Sequence, residues 1–176
     1  LCRRWCLVFC QLEGVRPWRN VCEPHGLVHR RSCIWVKPDS VPQFNGDGPG
    51  HGYECFEVLH AKRRSRWNGG GRRGVFTYPC NGGDRRPDED HPTPKPIALM
   101  LELVELFTDP DDLIIDPFAG SGTTLVAALR LGRRAIGIER DPKYHALAVD
   151  RLNAEVSGSS LRAARAGQGA LFGATR

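Results

Sequence analysis

The segment Asp116-Pro117-Phe118-Ala119-Gly120-Ser121-Gly122-Thr123-Thr124 follows an apolar run, Leu113-Ile114-Ile115, and leads into Thr123–Leu131, which is apolar at helical spacing. Gly120 and Gly122 allow the backbone to turn tightly and to approach a ligand. Ligands of open α/β sheets bind at the carboxyl ends of strands, where this segment falls. Glu139 closes the next apolar run, roughly twenty residues on, where an acid accepts ribose hydroxyls in such folds. A dinucleotide fingerprint needs a third glycine, and position 125 is Leu; a P-loop needs a lysine, and none is present in the segment. Asp116 would repel a pyrophosphate and attract a cation. S-adenosylmethionine carries an ammonium and a sulfonium, so it is the expected cofactor, and two capping carboxylates on an ordinary α/β protein are the plainer alternative.

A second group of polar residues stands at His91-Pro92-Thr93-Pro94-Lys95-Pro96. The prolines fix an extended entry into whatever follows, so His91, Thr93 and Lys95 could point toward a ligand. Turns of this composition are also common without any function.

The elements that would position these residues can be read along the chain. Apolar runs predict strands over Trp5–Gln11, Arg30–Lys37, Glu54–Ala61 and Val75–Tyr78, with a Pro-, Gly- and Asp-rich loop over 38–52 and a polar loop over 79–96. Ile97–Phe107 reads as a helix ending near Thr108, because Pro110 disfavours helix at Asp109. Leu113–Ile115 suits a parallel strand covered on both faces. A helix over Thr123–Leu131 closes at Gly132, and Ala135–Glu139 is the next strand. Asp141 and Pro142 supply an N-cap and a first-turn proline for a helix to about Glu155. Strand, helix, strand, helix at this spacing predicts a parallel, doubly wound α/β sheet.

With 176 residues, 40% of them apolar, the chain suits one domain over 1–156 and a flexible Gly-, Ala- and Arg-rich tail over 157–176. The +5 formal charge makes a polyanionic partner reasonable without requiring one. Seven cysteines in no regular framework argue against a disulfide scaffold. Cys2, Cys6 and Cys10 could line one helix face; small buried apolar side chains are favoured there over a metal site. The short apolar stretch near residue 6 is neither a signal peptide nor a bilayer span, so a cytoplasmic chain with no membrane and no metal is expected.

His91–Pro96, then Asp116–Thr124, then Gly137-Ile138-Glu139-Arg140-Asp141 resemble, in that order, the amino-group DNA methyltransferases of prokaryotes and their phages, in the permuted beta class. The resemblance covers roughly residues 5 to 156, more loosely at Trp35-Val36-Lys37-Pro38, Pro42-Gln43-Phe44, Gly46-Asp47 and Glu54–His60. It implies a Rossmann-like S-adenosylmethionine-dependent methyltransferase fold, permuted and incomplete. It also implies that Asp116, Phe118, Gly120, Gly122 and Thr123 hold the methionine part of the cofactor, that Glu139 holds the ribose, and that His91, Thr93 and Lys95 line the methionine end. Methyl transfer to an exocyclic amine of double-stranded DNA follows, with adenine expected ahead of cytosine. The family's catalytic Asp-Pro-Pro-Tyr motif does not occur: Asp141-Pro142-Lys143-Tyr144 resembles it but is expected to start a helix. The missing motif belongs before residue 1, so a truncated or degenerate copy, inactive alone and poorly soluble through an open apolar sheet edge, is expected.

The loop Lys62–Arg73 carries Lys62, Arg63, Arg64, Arg66, Arg72 and Arg73 around Trp67. In the family this region often helps recognise DNA, and phosphate contact here weighs evenly against a merely solvated loop. In the tail, Gln168, Leu171 and Phe172 resemble the peptide by which bacterial proteins dock on the replication sliding clamp. Methylation of RNA and a non-catalytic module that binds the cofactor or DNA remain as alternatives.

Overall fold

A computed structural model describes residues 2–80 and 94–158. The chain divides into two units, Leu1–Gly82 with Leu106–Thr108, and Gly83–Glu105 with Asp109–Arg176.

The first unit is built on four strands, β1 (Trp5–Cys10), β2 (Leu27–Val36), β3 (Tyr53–Ala61) and β4 (Val75–Thr77), in the order β1-β3-β2-β4. β3 is antiparallel to both β1 and β2, and β4 runs parallel to β2. The arrangement follows from the connections. The loop between β2 and β3 contains no helix, which suits an antiparallel return, whereas β1 and β2 run the same way and are joined through helix α1 (Val15–Cys22). As the central strand, β3 is buried from Cys55 to Ala61 with no alternation. That burial takes in two polar side chains, Glu57 and His60. Glu57 accepts from Ser32 Oγ, lies 3.4 Å from Arg19 Nη2, and has His29 Nδ1 at 2.7 Å but off the hydrogen-bonding direction.

The second unit holds the expected strand, helix, strand, helix series: β5 (Leu113–Asp116), α3 (Thr123–Arg130), β6 (Arg134–Gly137) and α4 (Pro142–Val156). β5 and β6 are parallel, with Asp116 opposite Gly137. Asp141 caps α4, its Oδ1 accepting from Lys143 N at 2.8 Å, with Pro142 in the first turn. Helix α2 (Ile97–Phe107) stops ahead of Asp109 and Pro110.

Two expectations need correction. Leu113 and Ile115 of β5 are about half exposed, as are Ile136 and Ile138, so β5 is not covered on both faces and this sheet presents an apolar surface. Cys6 and Cys10 lie on strand β1, so their spacing marks a strand face and not a helix face. Helix α1 carries Pro17 in its first turn, where a missing N–H is tolerated. The cysteines are free thiols, and burial pushes Cys6, Cys10 and Cys33 up to about 11, which keeps them protonated and unreactive at neutral pH. Among the described residues no group of His, Cys, Asp and Glu is placed to hold a metal, and no helix is long and apolar enough to cross a membrane.

Candidate functional site

The loop from Asp116 to Thr123 is pinned to the strand beside it by backbone bonds, Ile138 N to Asp116 O at 2.9 Å and Ala119 N to Ile138 O at 3.0 Å. Both glycines take left-handed backbone, Gly120 at φ 53° and Gly122 at φ 79°. Gly122 is also crowded, since a Cβ there would stand 3.0 Å from Ala148 Cβ. The glycines therefore make the turn and let α3 begin against α4.

Asp116 Oδ1 accepts from Phe118 N at 3.0 Å, which fixes the carboxylate at the strand end and leaves Oδ2 unengaged by that bond. Glu139 crosses to the same loop. Its Oε2 accepts from Gly120 N at 2.8 Å and its Oε1 from Asp141 N at 2.9 Å. Those amides, Asp141 first and Gly120 next, hold its pKa below the usual carboxylate range. The Arg140 amide adds to them; a carboxylate offers about four lone-pair positions, so Glu139 keeps acceptor capacity after these amides are served. Beside Glu139 opens a cavity of about 520 Å³ with apolar walls from Leu125, Ala135, Gly137, Ala148 and Leu152.

Arg151 of α4 was not foreseen. Its Nη1 donates to Ser121 O and Oγ, both at 2.9 Å, and to Thr123 Oγ1 at 3.2 Å. Thr123 is buried, and its hydroxyl is engaged with this guanidinium. No sequence signal marks Arg151, because the contact depends on how α4 lies along α3. The Phe118 ring is 81% exposed and stands clear of the loop it belongs to. Lys95 is half-buried just ahead of α2. His91 and Thr93 lie outside the described residues, as do Gln168, Leu171 and Phe172. Of the expected cofactor residues, then, Asp116, Gly120, Gly122 and Glu139 are gathered at one point.

The six cations of the basic loop belong to the first unit and are exposed. Trp67 anchors that loop. Its Nε1 donates to Gly70 O at 2.8 Å, and its ring lies so close to Gly69 that a Cβ there would meet it at 2.1 Å. Arg30 and Arg31 of β2 join the basic surface; Arg30 Nη2 donates to Arg63 O at 3.2 Å. Their position at the head of an expected strand hid that role.

The family of N6/N4 methyltransferases described as DNA methylase matches residues 5–150. The type II methyltransferase M.HinfI of Haemophilus influenzae is 32% identical over 135 residues, 68% of this chain and 38% of its own length. The chain spans less than two-fifths of the length of the curated relatives it matches. Among solved structures, the M1.HpyAVI–SAM complex superposes with a TM-score of 0.74 at 28% identity, covering 85% of this chain and 74% of that one. The cytosine-N4-specific PvuII DNA methyltransferase superposes at 0.69 and 18% identity, over 82% and 62%, a likeness of fold alone. The Asp116 loop, the Glu139 clasp and the parallel β5–β6 pair all fall inside the matched span, and the chain belongs to the DNA methylase family of N6/N4 methyltransferases.

Proposed function

We propose that this chain forms the cofactor-binding part of an enzyme that transfers a methyl group from S-adenosylmethionine to an exocyclic amine of a base in double-stranded DNA. The observation that carries the reading is the Glu139 clasp: one carboxylate holds the glycine loop in shape and, in this reading, still accepts from the ribose hydroxyls. The apolar cavity beside it suits an adenine ring, and Asp116 at the neighbouring strand end suits the ammonium group of the methionine part. Phe118, Thr123, His91, Thr93 and Lys95 complete the methionine end in this reading, Thr123 through its bond to Arg151. When bound, the cofactor supplies an electrophilic methyl on its sulfonium. The residues of this chain bind and orient it, and Lys62, Arg63, Arg64, Arg66, Arg72 and Arg73 hold the DNA phosphates. Family membership supports a DNA amine as acceptor.

Between the two amines we favour adenine N6. The cytosine-specific structure shares the fold alone and so gives no ground for a cytosine target. The same family membership supports a cytoplasmic location, where DNA and the cofactor meet.

Calorimetric titration of S-adenosylmethionine into the chain and into Asp116→Ala tests the reading. Binding by the first and its loss in a folded second variant is the expected result. A wild-type chain that melts cooperatively yet takes up no cofactor overturns it. The base is decided by digesting methylated DNA from the full-length enzyme: N6-methyladenine supports the adenine assignment and N4-methylcytosine removes it.

A further inference from the structure

The first unit contains a recess of about 290 Å³ whose lining includes neither the glycine loop nor Glu139. Its volume is near the lower bound, roughly 300 Å³, of pockets that hold small ligands. Its floor is aromatic, from Trp5, Trp67, Phe76 and Phe107. Three of these rings form one cluster, with Trp67 4.9 Å and Trp5 5.4 Å from Phe107 by centroid. Phe76 and Phe107 are buried, while Trp5 and Trp67 keep part of their surface open. The rim is cationic, from Arg30, Arg31, Arg72 and Arg73, and among the described residues no carboxylate lines it. Arg72 lies over the Phe76 ring at 5.7 Å, which orients one guanidinium at the edge of the floor.

The recess is held open by features of the sequence. Gly74 lies so close to Cys33 that a Cβ would stand 2.8 Å from its Sγ, which lets the basic loop descend onto the sheet as a wall. Trp5 Nε1 donates to Arg66 O at 2.6 Å and ties the same loop to β1. Flat rings below and guanidinium groups above match one chemical object, a planar heteroaromatic base with phosphate on either side. A base pair inside a duplex presents no free face to such a recess, whereas a single unstacked base does.

We infer that this recess takes one unstacked nucleotide of a DNA strand, its base against Trp5 and Trp67 and its flanking phosphates on Arg30, Arg31, Arg72 and Arg73. The inference rests on the reading that this chain engages DNA. It adds a second base-sized site that is separate from the residues assigned to the cofactor.

The test is fluorescence anisotropy of the whole chain with four labelled probes: an oligothymidylate, the same sugar-phosphate backbone with no bases, an oligouridylate, and a duplex. The expected result is binding of oligothymidylate about tenfold tighter than of the abasic strand, the worth of a single stacked base. In Trp67→Leu that preference disappears, whatever the loop it anchors loses in affinity for both strands alike. In Arg73→Ala both strands weaken together, and this rim change disturbs no buried ring, so it holds as a control if Trp67→Leu fails to fold. Equal affinity for the thymidylate and abasic strands, with duplex binding intact, overturns the recess and leaves the DNA reading standing. A preference that survives in a folded Trp67→Leu variant also overturns it, because the base then sits elsewhere. Tighter binding of oligouridylate replaces DNA by RNA as the occupant. Binding of no probe removes the DNA reading together with the inference.

Discussion

Glu139 Oε2 and the backbone amide of Gly120 meet at 2.8 Å, so the acid that ends β6 also fixes the turn that follows β5. The two expected halves of the cofactor site are therefore one mechanical unit, and a change at either is felt at both.

Glu139→Ala should weaken cofactor binding by about ten- to a hundredfold, the loss expected for hydrogen bonds to an ionised group. Glu139→Gln keeps the shape and should lose less. The same residue sets an acid limit. Because amides from Asp141 and Gly120 depress its pKa in the folded chain, its contribution is complete above the usual carboxylate range and fades as pH falls through the lowered folded value. Titrations of the cofactor at descending pH should show affinity holding through the normal carboxylate range and failing below it. Affinity that already falls in that normal range counts against the clasp.

Arg151→Ala removes one donor group from three acceptors on Ser121 and Thr123, all three in buried residues. The expected cost is about 1–3 kcal/mol of stability, with weaker cofactor binding although Arg151 itself is assigned no contact with the ligand. Arg151→Lys should recover little, because one ammonium does not reproduce the fork of a guanidinium. Thermal melts of the three proteins decide this, and an Arg151→Lys protein as stable as wild type would show that the clamp has no geometric demand.

Gly122 and Gly132 separate backbone strain from crowding. Both have left-handed φ, 79° and 70°, so an alanine at either carries roughly 1–2 kcal/mol of strain. At Gly132 the added Cβ meets nothing within 4 Å, while at Gly122 it meets Ala148 Cβ at 3.0 Å and Ala148 Cα at 3.3 Å. Gly122→Ala should therefore be the more destabilising of the two in denaturant melts, and it should also weaken the cofactor site. Equal losses would mean that α4 yields at Ala148 without cost.

Glu57, fully buried, tests how the first unit tolerates charge inside its sheet. Removing Arg19 leaves the carboxylate with Ser32 and His29 as its named partners, and an uncompensated buried charge costs up to about 3–5 kcal/mol, less here because Arg19 is a third exposed. Arg19→Met should thus destabilise more than Glu57→Gln, which neutralises the charge and keeps the shape. Adding Glu57→Gln to Arg19→Met should restore part of the loss. Additive losses in the double variant would mean that the two side chains are not coupled.

The sequence patterns that proved legible were the local ones. Alternation, apolar runs and turn residues placed β1 to β6 and α2 to α4 within a few residues, and Asp141-Pro142 identified its own cap because capping involves only neighbours along the chain. The glycine turn and the acid that ends the next strand were legible as positions, because one strand end and the next carry the signal. What escaped depends on contacts across the fold. Arg151 reaches back some thirty residues to Ser121, Glu57 is satisfied by groups on β2 and α1, and Arg30 and Arg31 face the basic loop only once β2 and β3 are paired. Leu113-Ile114-Ile115 misled because a continuous apolar run reads as buried on both faces, whereas burial depends on what lies against it.

That open surface carries the last prediction. Leu113 and Ile115 on β5 and Ile136 and Ile138 on and just after β6 are each about half exposed, and Ile115 stands opposite Ile136 in the parallel register. Exposed β-branched side chains beside a strand edge favour association with a second chain. Threonine keeps the branched shape that suits a strand and replaces one methyl by a hydroxyl. Ile115→Thr with Ile136→Thr should therefore raise the concentration at which the chain stays monomeric, with a small change in melting temperature, since little burial is lost. Sedimentation of wild type and the double variant across a concentration series measures this. A double variant that associates as readily as wild type would place the sticky surface elsewhere, and one that loses cooperative melting would show that these isoleucines contribute packing that their exposure does not reveal.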